Sequence, residues 1–456
     1  MLPNMTIRQL RELFLQKQLS PTELTESYLS RIAAHADTNI YITVNAAQAR
    51  KQAAIATQRY MAGEAAGLLE GIPVAYKDNI FTKGIRSTAG SKIEQEYVPQ
   101  IDAPAVTQMQ QAGAVNLGKL NLHEYAFGIT SQNPFYGAVQ NPWNRGYSPG
   151  GSSGGSGAAL AADLARLTLG TDTGGSIRIP AAACGVIGLK ATRDLISNQG
   201  TRPIAASLDH VGPLARYVED MAIALQIFTG QNYLATLERS LKGLRIGVPI
   251  NYFRSLDSSI ETAYHQALQQ LQELGAVLIE VEVPYTEEDA GVVFALAICE
   301  GAAEHAERLQ SHREHYGADV LGALSAAANF TAVDYIKARE RQLELTHQFE
   351  SLLQDLDVLV TPTTSVAAQP IGINELEIEG QVQDLFSLTV HNCAPFNITG
   401  HPALSLPCGI GENNIPVGLQ LVAASYRERV LLQVAYAYEQ HYLASFYEAR
   451  SRIVCV

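Results

Sequence analysis

Gly150-Gly151-Ser152-Ser153-Gly154-Gly155-Ser156-Gly157-Ala158-Ala159 and Gly170-Thr171-Asp172-Thr173-Gly174-Gly175-Ser176-Ile177-Arg178 are the two stretches from which the architecture can be read. Between them lie an Ala-rich segment of helical character and an apolar run at 164–169 that reads as a strand. A helix and a strand bracketed by turn-forming clusters are the repeating unit of a layered α/β fold. A flexible linker is the competing reading of the first cluster. It is a poor one between a Trp143-containing segment and an Ala-rich helix.

The alternation continues outward in both directions. Upstream, Gly71-Ile72-Pro73-Val74-Ala75-Tyr76 reads as a short strand that delivers Lys77 at its end, 104–112 as a helix and 114–117 as a strand. Thr6 with Gln9 and Ser20 with Glu23 form capping boxes, Pro21 takes a first helical position, and 46–61 reads as a third helix. Downstream, 244–249, 277–283 and 357–361 read as strands, 258–274 as a helix capped by Ser258 or Ser259, and 427–441 as an amphipathic helix. Residues 285–354 are mostly helical in pattern. No linker composition separates the halves, so a single domain is expected over 1–456. Within it, about 1–65 is an N-terminal helical region, about 66–230 the core, and about 285–354 a variable helical region capping the substrate.

The chain has 456 residues, 47% of them apolar and 17% charged, which is a globular composition. Asp and Glu number 45 against 32 Lys and Arg, a net charge of −13. Such a surface repels phosphate backbones and anionic lipid, so neither nucleic acid nor membrane is an expected partner. No apolar run approaches the ~20 residues that span a bilayer, and the first residues lack the layout of a signal peptide. The five cysteines, Cys184, Cys299, Cys393, Cys408 and Cys455, contain no C-x-x-C pair. The expectation is a reduced, cytoplasmic protein.

Four features carry chemistry. G-x-S-x-G occurs around both Ser152 and Ser153. It is the pattern of a nucleophile elbow, but an elbow needs a strand before it, and Gly146-Tyr147-Ser148-Pro149 is a poor strand. His210, His391 and His401 lie downstream as the partners such a serine would need. In the second stretch, two glycines before Ser176 permit a tight turn that aims successive backbone N–H groups at one point, as an oxyanion hole requires. Taken alone, an ordinary turn with a helix cap at Ser176 explains it as well. Lys77 is either a solvated strand end or a buried, neutral amine able to act as a base. His305, His312 and His315 lack H-E-x-x-H and read as one polar helix face, so no metal and no cofactor is expected.

Together, Gly71 to Asn79, Asn141-Pro142-Trp143, both quoted stretches, Leu208-Asp209-His210-Val211-Gly212-Pro213 and Pro395-Phe396-Asn397-Ile398-Thr399-Gly400-His401-Pro402-Ala403 resemble the amidase signature family along nearly the whole chain. That resemblance implies one α/β/α domain around a large, twisted, mixed sheet covered by helices, commonly in a homodimer. It also implies a Ser–Ser–Lys triad with Ser176 as nucleophile, Ser152 as bridge and Lys77 as base. The backbone N–H groups of Thr173, Gly174, Gly175 and Ser176 would form the oxyanion hole. Ser153, Asp172 and Arg178 would orient the loop, and the last two could pair. The chemistry agrees, because a serine hydroxyl needs a base, and a hydroxyl that both donates and accepts can relay its proton.

Departures narrow the expected substrate. Lys190-Ala191-Thr192 stands where the family often has Lys-Pro-Thr. In the amidase component of tRNA-dependent amidotransferases, an Arg that holds the glutamine carboxylate falls in the segment matching Tyr316 to Leu324, which has no Arg here. An acidic residue of that branch matches Val390. The expectation is an amidase that hydrolyses a small, linear, uncharged carboxamide, aryl or alkyl in its acyl group, through a Ser176 acyl-enzyme. The alternatives are a urea-type hydrolase of biuret- or carbamate-like substrates, an amidotransferase-like subunit that needs a partner, and a Ser–His–Asp hydrolase using Ser152 or Ser153.

Overall fold

Buried apolar runs form the middle of one sheet of 11 strands. The structure, a computed structural model, describes residues 4–253, 256–378 and 380–454; Cys455 lies outside them. In chain order the strands are β1 (Tyr41–Val44), β2 (Pro73–Lys77), β3 (Val115–Leu120), β4 (Leu167–Asp172), β5 (Ile187–Lys190), β6 (His210–Ala215), β7 (Arg245–Pro249), β8 (Val277–Val281), β9 (Val358–Pro362), β10 (Ala403–Ile410) and β11 (Pro416–Val422). Across the sheet they run β1-β3-β2-β4-β6-β5-β10-β11-β9-β7-β8. β2 is parallel to β3 and β4, and β7 to β8 and β9. The other pairs are antiparallel, so the sheet is mixed.

Every residue of β2, β3, β4, β5, β6, β9 and β11 is buried. Strands buried on both faces need helices on both faces, and the chain is a single α/β domain of that kind. The helices Gly154–Ala161 and Arg178–Cys184 pack on one another and on the sheet centre. The capping boxes at Thr6 and Ser20 form as read. The helix Ser258–Glu273 is capped one residue early, because Asp257 accepts from Ser259 N at 2.9 Å. β4 starts at Leu167 rather than 164, since Asp163 adopts φ 52 and turns the chain first.

Residues 285–354 hold four helices, Ala290–Glu304, Ala306–Ser311, Ala318–Ser325 and Ala332–Gln354. The three histidines do not share a helix face. His305 is buried between the first two helices, its ring 2.7 Å from Tyr316 Oη, while His312 ends the second and His315 sits in a short 3-10 turn. Among the described residues no cluster of three or more His, Cys, Asp or Glu could hold a metal ion. No helix there is long and apolar enough to cross a membrane. Because β2 and β4 are parallel neighbours, their carboxyl ends open on the same edge, where ligands sit in α/β sheets.

Candidate active site

Lys77 ends β2 fully buried. Its Nζ lies 2.8 Å from Ser152 Oγ, 2.7 Å from Thr171 Oγ1 and 3.5 Å from Thr171 O. Burial pushes the amine down to about 7, against the opposing pull of Asp172 and Asp209. Thr171 also accepts from Asn79 Nδ2 at 3.1 Å. The sequence reading did not single out Thr171 or Asn79 for a role. Both stand at the carboxyl ends of adjacent parallel strands, the signal that could have found them.

The second stretch is a turn organised around one carboxylate. Asp172 accepts from Gly175 N at 2.8 Å, Ile177 N at 3.1 Å, and the Arg178 guanidinium at 2.9 and 3.0 Å. So the expected Asp172–Arg178 pair is made, with both residues fully buried. Burial works to raise the Asp172 carboxyl, but the Arg178 charge and the Arg178 and Asn397 hydrogen bonds overcome it and hold the group well below the usual carboxylate range. Arg178 also donates to the Cys393 carbonyl, Gln420 and Asn397, which ties the turn to the far half of the chain. Gly175 adopts φ +127, and a Cβ there would meet Cys393 Cβ at 2.7 Å, so only glycine fits.

One expected oxyanion donor is otherwise engaged. The Gly175 N–H is taken by Asp172 Oδ1, so it cannot also point at substrate. The N–H groups of Thr173, Gly174 and Ser176 make no hydrogen bond to protein among the described residues. Nor does Ser176 Oγ, so the bond from Ser152 to Ser176 that a relay requires is open in this structure. Thr173 Oγ1 donates to Asp209 Oδ1 at 2.6 Å, and Asp209 accepts from Ile204 N and Ala205 N. Asp209 thereby pins the turn to the neighbouring wall.

The glycines of the first cluster serve close packing. A Cβ on Gly154 would fall 2.3 Å from Ser131 Oγ, and one on Gly155 2.4 Å from the Asn121 carbonyl. Ser152 and Ser153 are fully buried. The residues before them, 146–151, are irregular apart from an isolated bridge of Tyr147 to Pro370 and form no strand, so the elbow geometry is absent. Ser153 Oγ donates to Thr171 O at 3.0 Å, and Ser153 N donates to Ser176 O at 3.2 Å, which joins the two stretches. The histidines are occupied elsewhere. His210 Nδ1 bonds Leu208 O, His391 Nε2 bonds Tyr252 O, and His401 bonds Thr399 and Glu350.

Ser176, Thr173 and Gly174 open onto a cavity of about 430 Å³. Its walls are mainly apolar, from Phe127, Ile129, Val293, Phe294, Phe386 and Val390 among others. Its only charged carboxylates are Asp319 and Asp384, and no Lys or Arg lines it among the described residues. Asp319 and Ala323, from the segment matching the amidotransferase Arg, are lining residues, as is Val390.

Such a sheet, with its buried lysine and glycine-rich serine turn over an apolar cavity, defines a class of α/β hydrolytic enzyme, and comparison with known proteins identifies the family. The model of the Amidase family matches residues 23–432. The chain belongs to that family, the amidase signature enzymes, and hydrolyses amide C–N bonds. It is 36% identical to a glutamyl-tRNA(Gln) amidotransferase subunit from Acinetobacter baylyi, over 99% of this chain and 98% of that one. Among solved structures, it is similar to a chain of a vestigial protein complex that reveals the evolutionary origins of an s-triazine catabolic enzyme (31% identity, TM-score 0.91, 96% and 98% of the two chains). It is also similar to the peptide amidase of Stenotrophomonas maltophilia (32% identity, TM-score 0.83, 96% of each chain).

Proposed function

We propose that the chain hydrolyses an uncharged carboxamide to an acid plus ammonia or an amine, through an acyl-enzyme on Ser176. One observation carries this reading: a buried lysine amine, brought near neutrality by burial, is hydrogen-bonded to Ser152 beside the turn that presents Ser176 to an apolar cavity. With the amine neutral, its two N–H bonds serve the Thr171 oxygens and its lone pair faces the Ser152 hydroxyl. As substrate docks, rotation of the Ser176 side chain closes the relay, since such bonds are often open in a free enzyme.

Ser152 then takes the Ser176 proton while passing its own to Lys77. The Ser176 oxygen attacks the amide carbon, and the carbonyl electron pair moves onto oxygen, where the N–H groups of Thr173, Gly174 and Ser176 meet it. Collapse breaks the C–N bond, and the proton returns through Ser152 to the departing nitrogen. Water repeats the sequence on the ester, releasing the acid and restoring Ser176. An anionic substrate is disfavoured because a carboxylate beside Asp319 and Asp384, with no cation lining the cavity, is left unpaired at a cost of several kcal/mol.

The high identity to an amidotransferase component favours one second reading, a chain that acts only with a partner. Purification of this chain alone, followed by ammonia release from alkyl, aryl, urea-type and amino-acid amides, separates the two. Turnover of hexanamide or benzamide above glutamine supports the proposal; glutamine as the best substrate, or activity only with an added partner, overturns it. A homodimer and a cytoplasmic setting accord with the family resemblance, and sedimentation tests the dimer.

A further inference from the structure

The cavity holds one polar device that the mechanism does not use. His123 is 5% exposed and lines the same cavity as Ser176. Its backbone N–H donates to Ser152 O at 3.2 Å, so the ring is carried by the catalytic framework itself. The ring lies flat against Gly128, where a Cβ would come within 2.3 to 2.5 Å of three ring atoms. Across the cavity its Nε2 is 2.7 Å from Asp319 Oδ2, on the helix Ala318–Ser325. The second ring nitrogen, Nδ1, has one hydrogen-bonding neighbour among the described residues, Thr130 Oγ1, at 3.5 Å, the outer limit of a hydrogen bond.

That arrangement sets the tautomer. Burial works to raise the Asp319 carboxyl, but the contact with His123 and the backbone N–H groups of Val320 and Asp319 together outweigh it and hold the group below its ordinary value, so Asp319 is an ionised acceptor. An acceptor-only partner requires the proton on Nε2. In the neutral ring, Nδ1 is then a fixed, underused acceptor at the edge of an otherwise apolar cavity. A buried acceptor without a full partner is costly, and a substrate that supplies a donor recovers that cost.

We infer that His123 Nδ1, with Thr130 Oγ1 beside it, reads an uncharged hydrogen-bond donor on the acyl group, so the substrates are amides of an apolar acid bearing a hydroxyl or N–H substituent. Asp319 is a positioning residue, holding the ring and its tautomer. This inference rests on the proposed amidase reading and adds the polar substituent to the apolar acyl group.

The test measures kcat/KM for hexanamide and for the positional series of its monohydroxylated and monoaminated analogues. Hydroxylation at one position is expected to raise kcat/KM roughly five- to tenfold over hexanamide, mostly through KM. His123→Phe, which keeps the ring and loses the acceptor, brings that ratio to about one. His123→Asn, whose Oδ1 stands near the place of Nδ1, retains part of it, whereas His123→Gln does not. Asp319→Asn lowers it by freeing the tautomer. A purely structural role would depress all amides alike and leave the ratio unchanged, which overturns the inference. So does a wild-type series with no favoured hydroxyl position, or a gain confined to the charged amines, which would assign recognition to the Asp319 charge. If neither hexanamide nor any of its analogues releases ammonia, the proposed reading falls, and this inference falls with it.

Discussion

Under the proposed mechanism, Lys77 is a base whose burial weighs against the stability of the fold. Its amine is held near 7 by burial, against 10.5 in the unfolded chain. Activity is therefore expected to rise with pH through about 7 and to stay level above it. Histidine titrates in the same range, so a pH–rate profile alone does not identify the base. Turnover of folded Lys77→Ala does, and it is expected to fall by several orders of magnitude. Lys77→Arg should do no better, because guanidinium keeps its proton. Near-normal turnover of folded Lys77→Ala would place the base elsewhere. The stability effect has a definite sign. Between about 7 and 10.5 the unfolded chain binds the extra proton, so stability rises with pH across that window. Lys77→Met should then melt above the wild type at neutral pH, with an advantage that shrinks toward the unfolded value. Equal melting temperatures at pH 7 would show that the buried amine costs nothing. At Ser176 a fluorophosphonate should attach one label, abolished in Ser176→Ala and retained in Ser153→Ala.

At the scale of the element, the serine turn is held by Asp172 rather than by its own backbone. Asp172 grips Gly175 N, Ile177 N and Arg178 at once. Asp172→Asn leaves a fully buried guanidinium short of its anion and should cost about 3–5 kcal/mol in denaturant unfolding. The contribution is complete above the ordinary Asp value of 3.8 and is lost as pH falls toward the depressed folded-state value. A loss below about 1 kcal/mol would mean that Asn397 and Gln420 suffice for Arg178. This turn also marks the limit of what sequence could tell. The alternation of strands and helices and the capping boxes followed from local pattern, whereas the pairing of Asp172 with Arg178 stood there only as a possibility beside independent capping of the loop. The engagement of the Gly175 N–H did not follow from it, because it depends on which way a side chain three residues earlier points. Asp209 and Asn397 were missed as tethers for a related reason. Their partners lie 36 and 225 residues away, and no periodicity reports such contacts. The His123–Asp319 pair spans 196 residues and escaped for the same cause.

Across the whole molecule, helices from the two ends of the chain close around one buried carboxylate and its arginines. Asp163, fully buried, accepts from Tyr28 Oη at 3.0 Å and lies 2.5 Å from Arg31, 3.3 Å from Arg166 and 3.8 Å from Arg216. Tyr28 and Arg31 belong to the N-terminal helix Pro21–Ala34, while Arg166 and Arg216 flank β4 and β6. From the C-terminal helix Ala444–Val454, Arg450 donates to the Arg216 and Gly185 carbonyls and lies over the Tyr447 ring. One anion thus serves three guanidinium groups at the end of the sheet remote from Ser176. Removing the charge while keeping the shape, in Asp163→Asn, takes away the anion that Arg31, Arg166 and Arg216 share in a region with little water, although Asp220 still acts on Arg166. The repulsion and desolvation of these arginines should lower stability by about 3–5 kcal/mol. By contrast, Asp37 pairs with Arg145 at 2.7 Å where both side chains are more than half exposed, and Asp37→Asn should change stability by less than about 1 kcal/mol. Urea unfolding of the two variants beside wild type measures both effects, and turnover per folded molecule should be unchanged in each. An Asp163→Asn midpoint equal to that of Asp37→Asn would mean that the arginines satisfy one another through backbone carbonyls, and that the sheet is closed by apolar packing alone.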